Sequence, residues 1–178
     1  MDICFIDFET TGIDVFKDNP IEIGCTLTNQ KGDILQEFHS YIKPKSKRKT
    51  SASAKNIHGI NTNSLMNAPT QKEVLIKFFK EMGTNYRFAG WNINFDVTFF
   101  RRMCHLNNMM GLYNKIYHRH IDIQSIVFYL KESNRIPNNL NSLNDLASFY
   151  KLDRDSNHSA LQDSRLANIV YKKIISFK

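Results

Sequence analysis

The sequence has no run of about 18 consecutive apolar residues, the length a membrane-spanning helix needs, so no segment reads as a membrane span. It has no basic leader either. Asp2 follows the first methionine and the next apolar stretch is broken by acids, so a secretory signal is not expected. Cysteine is scarce. Cys4, Cys25 and Cys104 stand among apolar residues at none of the spacings that zinc sites use, and they read as reduced core thiols of a cytoplasmic protein. Internal repeats, low-complexity tracts and linkers are also missing. What is left is one soluble domain spanning 1–178, long enough to bury a real core, with 42% hydrophobic and 23% charged residues.

Acids are outnumbered. Lys and Arg total 24 against 17 Asp and Glu, a net charge of +7 that favours a polyanionic partner. The sharpest basic cluster is Lys43-Pro44-Lys45-Ser46-Lys47-Arg48-Lys49, which reads as a phosphate-tracking loop or as a solvated one.

Taken in order, the stretch 3–12 opens with an apolar run of strand length that carries Asp7 and Glu9 at its end, and 10–19 is a loop. Residues 20–28 form a second strand, 29–33 a hairpin turn, and 34–42 a third strand with alternating apolar positions, so the chain opens as an antiparallel meander. A short helix over 51–57 ends at His58-Gly59, and another short turn runs from Thr62 or Asn63 to Met66. Thr70 opens a clearer helix in which Val74, Leu75, Phe78, Phe79 and Met82 share a face, and Gly83 stops it. Then come a buried strand at 86–90, a helix from Phe95 to about Asn108 with Phe95, Phe99, Met103 and Leu106 on one side, and a short strand at 120–123. Helices follow over 123–132, 142–150 and 159–175, the last with Leu161, Leu166, Ile169, Val170 and Ile174 inward. Three strands followed by alternating helices and strands predict an α/β fold with a mixed sheet whose first half is antiparallel.

The chemistry sits in the acids. Side chains at i and i+2 of a strand share a face, so Asp7 and Glu9 project together, and two like charges side by side are costly without a cation between them. Asp96 stands at the start of the helix after the 86–90 strand, and Asp163 in the first turn of the last helix. The helix dipole alone would explain an acid at either place. Together, however, the four acids can converge on a pair of divalent cations. Two such ions about 3.5–4 Å apart can clamp the attacking and leaving oxygens of a phosphodiester. Oxygen-only ligands favour Mg²⁺ or Mn²⁺ over zinc. His158, just before the last helix, has a side-chain type suited to taking a proton from water near neutral pH.

The segments Asp7-Phe8-Glu9-Thr10-Thr11-Gly12, Asn92-Ile93-Asn94-Phe95-Asp96 and His158-Ser159-Ala160-Leu161-Gln162-Asp163 resemble the three motifs of the DEDDh 3′–5′ exonucleases. That family includes the proofreading subunit of bacterial replicative polymerases, ribonuclease T and oligoribonuclease. Ala54–Ile60 resembles the stretch that the family sets beside the terminal nucleotide, and the likeness runs from about residue 3 to 171. The resemblance implies a ribonuclease H-like fold with a mixed five-stranded sheet, its first three strands antiparallel, flanked by helices. It implies two divalent cations held by Asp7, Glu9, Asp96 and Asp163, Asp96 directly or through water, and His158 as general base. The tyrosine branch of the family places its base four residues before the last acid, where this chain has Ser159. Thr10, Thr11, Gly12, Ile57, His58, Asn92 and Phe95 match positions that grip the 3′ nucleotide. Phe95 has an alternative place in the core, and His58 one as a helix end.

The implied activity is hydrolysis of the terminal phosphodiester at a free 3′-OH of single-stranded DNA, releasing nucleoside 5′-monophosphates in proofreading or repair. The expected partners are single-stranded 3′ ends, DNA ahead of RNA, and a DNA polymerase subunit. The chain ends soon after its last helix, which leaves little room for a polymerase-binding tail. The alternatives are an exoribonuclease of the ribonuclease T or oligoribonuclease type and a non-catalytic module that tethers nucleic acid or a polymerase. A haloacid dehalogenase-like phosphatase would want Asp-x-Asp, and the second acid here is Glu9.

Overall fold

A central strand, β1 (Asp2–Thr10), organises the structure, a computed structural model that describes residues 1–45, 50–153 and 159–176; the side chains of Ile57 and of residues 62–64 lie outside the description. β2 (Pro20–Thr28) pairs with β1 antiparallel, and β3 (Ile34–Tyr41) pairs with β2 antiparallel. On the other side of β1, β4 (Tyr86–Gly90) and β5 (Tyr117–Asp122) add in parallel, giving a mixed five-stranded sheet in the order β3-β2-β1-β4-β5.

The apolar run Ile3-Cys4-Phe5-Ile6 of β1 reflects burial on both faces, as expected of a central strand. Cys4, Ile6 and Phe8 point into one layer with Ile23, Cys25 and Phe38 of the sheet and with α2 (Gln71–Met82) and α3 (Ile93–Leu106). Phe5 points into the other, with Ala89, α5 (Ile123–Glu132), α6 (Leu143–Phe149) and α7 (Ala160–Ile175). The odd-numbered side chains of β1, Asp7 and Glu9 among them, therefore face α7. Before α2 lie α1 (Ala52–His58), closed by Gly59 in the left-handed conformation, and a 3-10 segment at Thr62–Asn67. Thr70 and Glu73 form a capping box that starts α2.

Several expectations shift. β3 is an edge strand and buries only Phe38 fully, while Ile34 and Leu35 are exposed near the hairpin. α3 begins at Ile93, before Phe95, because Asn92 takes a left-handed backbone (φ 51°) that turns the chain straight from β4 into the helix. Leu106, at the end of α3, is exposed. Residues 110–122 resolve into a one-turn helix, α4 (Met110–Tyr113), and β5, which starts at Tyr117 rather than His120. In α7, Ile169 faces solvent. At about 100° per residue it lies on the far side from Ala167, and the inward positions are Ala160, Ser164, Leu166, Ala167, Asn168, Val170 and Ile174. Among the described residues no helix is long and apolar enough to cross a membrane.

Candidate active site

The alternation of β1 brings Asp7 and Glu9 onto one face, and the first turn of α7 lowers Asp163 onto them. One carboxylate oxygen from each of the three lies within 4.8 Å of the others. This approach depends on what β2 lacks. Gly24 pairs with Asp7 across the sheet, and a Cβ there would overlap the Leu161 nitrogen and the Ala160 carbonyl, both backbone atoms of α7. Only glycine lets the helix come this close. Thr26 and Ser164 then join strand to helix by a 2.8 Å hydroxyl contact, and Arg165 donates two bonds of 2.6 Å to Glu37 on β3. Ser159 caps α7, its hydroxyl accepting from the Gln162 N–H.

Asp96 reaches the same strand end differently. The β1–β4 pairing stops at Phe5 opposite Ala89, and further along β1 the Phe8 N–H donates to Asp96 Oδ1 at 2.9 Å. Asp96 is buried in the first turn of α3 and stands beside the trio rather than within it.

Electrostatics mark the cluster as charge-starved. Burial, then the charges of Asp96, Glu9, Asp163 and Glu22, push the Asp7 carboxyl well above its usual range. Glu9 is pushed up to about 8 by burial, Glu22 and Asp163. Burial raises Asp96 as well, against the lowering effect of the bond from Phe8. Carboxyls gathered this closely on oxygen-only chemistry fit a divalent cation, which would replace the protons that otherwise hold them together.

Glu22 is a site residue that sequence reasoning missed. It pairs directly with Glu9 across β1 and β2, is 1% exposed, and lies 2.6 Å from His39 Nε2. The only signal in the sequence was an acid inside an otherwise apolar strand, Pro20-Ile21-Glu22-Ile23.

A cleft of about 570 Å³ opens beside the acids. Glu9, Thr10, Thr11, Gly12, His58 and Phe95 line it, as do Ile13, Ser51 and Ala54. Its floor is a tied turn. Thr11 Oγ1 donates to Asp18 Oδ1 at 3.1 Å and accepts from the Asn19 N–H at 3.0 Å, and Thr10 Oγ1 donates to the Gly12 carbonyl at 2.7 Å. A Cβ at Gly12 would come within 2.5 Å of Asp18 Oδ2, so the turn excludes larger residues. Arg102 of α3 donates to the carbonyls of Asp18 (2.7 Å) and Phe16 (3.1 Å), locking the loop to the helix. His58 is buried, and burial pulls it below the usual histidine value against the charge of Glu22 and the Thr10 carbonyl. Asn92 is exposed and outside the cleft lining. His158, the Ile57 side chain and, in the basic loop, Lys47, Arg48 and Lys49 lie outside the described residues.

The sheet order and the four acids at one end of β1 define a nuclease of the ribonuclease H-like fold. The family model described as Exonuclease matches residues 4–171, and the chain belongs to that family, in its DEDDh 3′–5′ branch, as a phosphodiester hydrolase. It is 32% identical over 182 residues to the DNA polymerase III subunit epsilon of Buchnera aphidicola subsp. Baizongia pistaciae, a match covering 97% of this chain and 70% of that one. It is 32% identical over 171 residues to the PolC-type DNA polymerase III of Thermotoga petrophila, covering 96% of this chain and 12% of that much longer one. In fold it is similar to E. coli exonuclease I, solved with a 5cy-dT13 oligonucleotide, with a TM-score of 0.83 at 15% identity, covering 99% of this chain and 41% of that one.

Proposed function

We propose that this protein removes nucleotides one at a time from the 3′ end of single-stranded DNA, in proofreading or repair, and releases nucleoside 5′-monophosphates. The observation that carries this reading is the convergence of Asp7, Glu9 and Asp163 within 4.8 Å of one another, with Glu9 also lining a cleft of about 570 Å³. The relatives named DNA polymerase III subunit epsilon and DNA polymerase III PolC-type favour DNA over RNA and a polymerase as partner.

Asp7, Glu9 and Asp163, with Asp96 beside them, would hold two divalent cations, Mg²⁺ or Mn²⁺. When bound, these would polarise the scissile phosphodiester and favour ionisation of the attacking water. Thr10 to Gly12 supply a rigid backbone turn against which the terminal nucleoside lies. Phe95 and His58 form apolar and polar walls, with Ile57 and Asn92 as further contacts. His158 accepts the proton of the attacking water. Three buried, unpaired cysteine thiols accord with a reducing, cytoplasmic setting.

The test is digestion of matched 3′-labelled DNA and RNA oligomers with Mg²⁺ or Mn²⁺. The native protein should shorten DNA faster than RNA, and Asp7→Asn should lose at least about a hundredfold in rate, as expected when several kcal/mol of charge stabilisation go. Full activity of Asp7→Asn would sink the assignment.

A further inference from the structure

α3 separates two clefts. Phe95 lines the one beside the acids, while its chain neighbour Asn94, with Thr98 and Arg101, lines a second of about 560 Å³ that extends to α4 and the edge strand β5. Nothing in the exonuclease chemistry uses this second cleft. Its lining includes the apolar side chains of Phe88, Val97 and Ile116, and no carboxylate is among the described residues that line it. The polar side chains around it include Arg101, Tyr113, His118 and His120. The His120 ring leans on Phe88 (6.0 Å between centroids), and its buried Nδ1 has no hydrogen-bond partner. Arg101 and Tyr113 line the same cleft, and the Arg101 charge opposes the rise that burial gives the Tyr113 hydroxyl. At the same edge, the Arg87 guanidinium stacks over Tyr117, 4.9 Å from the ring centroid.

An acid-free cleft that joins a guanidinium to half-buried tyrosine and histidine rings is suited to a phosphate with a base beside it. The planar fork of arginine matches phosphate oxygens, and aromatic faces accept any base. Because consecutive residues of α3 line the two clefts, a strand leaving the first has a short route to the second.

We propose that the cleft between α3, α4 and β5 is a second nucleic-acid subsite, which holds an upstream phosphate and base of the single strand whose 3′ end occupies the first cleft. This rests on the 3′–5′ exonuclease reading above. Its effect is to favour longer strands over the shortest ones without touching the chemical step.

The test compares steady-state hydrolysis of the p-nitrophenyl ester of thymidine 5′-monophosphate, which carries no upstream nucleotide, with that of a dodecanucleotide, for the native protein and for Arg101→Ala and His118→Ala, both at exposed positions. KM for the dodecanucleotide should rise about fivefold or more in each variant, the loss of one stacked or phosphate-bound unit, with kcat and the KM of the small ester unchanged. Unchanged KM on the dodecanucleotide overturns the proposal. So does an equal rise on both substrates, which would place Arg101 in the first cleft. Thymidine 5′-monophosphate, titrated as an inhibitor, separates the free nucleotide from the strand. Weaker inhibition of the variants with an unaltered dodecanucleotide KM would make this a product site and overturn the strand assignment. A native protein inactive on both substrates takes down the exonuclease reading, and this inference with it.

Discussion

At the scale of residues, the site is a problem of crowded negative charge. Glu22 sits opposite Glu9, buried and beyond the reach of solvent screening, so it works on Glu9 more strongly than a surface acid would. Glu22→Gln keeps the shape and the hydrogen-bonding reach toward His39 but removes that charge. The Glu9 carboxyl should then titrate below its present value of about 8, which carboxyl carbon shifts in chelator-treated protein would report. An unmoved midpoint would show that burial and Asp163 raise Glu9 without help from Glu22. The same substitution should weaken divalent-ion binding a few-fold, measured by calorimetry, because a nearby negative charge is lost.

At the scale of elements, the position of α7 decides whether Asp163 reaches the strand acids. Two features set it, of unequal weight. The Arg165–Glu37 pair is bidentate but largely exposed, and such pairs contribute about 0–1 kcal/mol, so Arg165→Ala should change thermal stability and rate only slightly. Gly24 is the stronger constraint. Gly24→Ala places a methyl group inside the backbone of α7, which must lift away. The expected cost is about 1–3 kcal/mol in unfolding free energy, with a rate loss of about a hundredfold for a displacement near 1 Å. Denaturant unfolding and single-turnover digestion measure the two separately. Native-like turnover by Gly24→Ala would show that α7 does not need this approach.

At the scale of the whole molecule, the raised carboxyls tie stability to pH. Glu9 moves from 4.5 in the unfolded chain to about 8 in the folded one, and Asp7 and Asp96 move the same way. The folded protein therefore holds these protons more tightly. The stability they carry is complete below the unfolded value and is lost as pH rises from about 4.5 toward 8. His58 and His120, held low by burial, work the other way below about 6.5 but are fewer. In chelator, the melting temperature should fall from about pH 5 to 8. Mn²⁺ should restore it most at the upper end, where ionised carboxylates bind the cation and only the folded state gathers them. A flat profile with no response to Mn²⁺ would contradict both the shifts and the metal reading.

Much of this was legible in the sequence because it is local. The period of two in β1 put Asp7 and Glu9 on one face. Thr70 before its helix, and Gly59 and Gly83 after theirs, marked ends that the structure keeps. The motif order around Asp96 and Asp163 pointed to the family and its fold. Tertiary structure alone decided the rest, since it turns on what meets across the sheet. Glu22 looked like one acid in a strand until pairing set it against Glu9. Gly24 had no visible role until α7 lay on it, Arg102 until it reached the Phe16 and Asp18 carbonyls, and Ile169 looked inward until the helix was rotated by its small residues onto β2. Local pattern fixes which way a side chain points from its own strand or helix. Only packing fixes what stands on the other side.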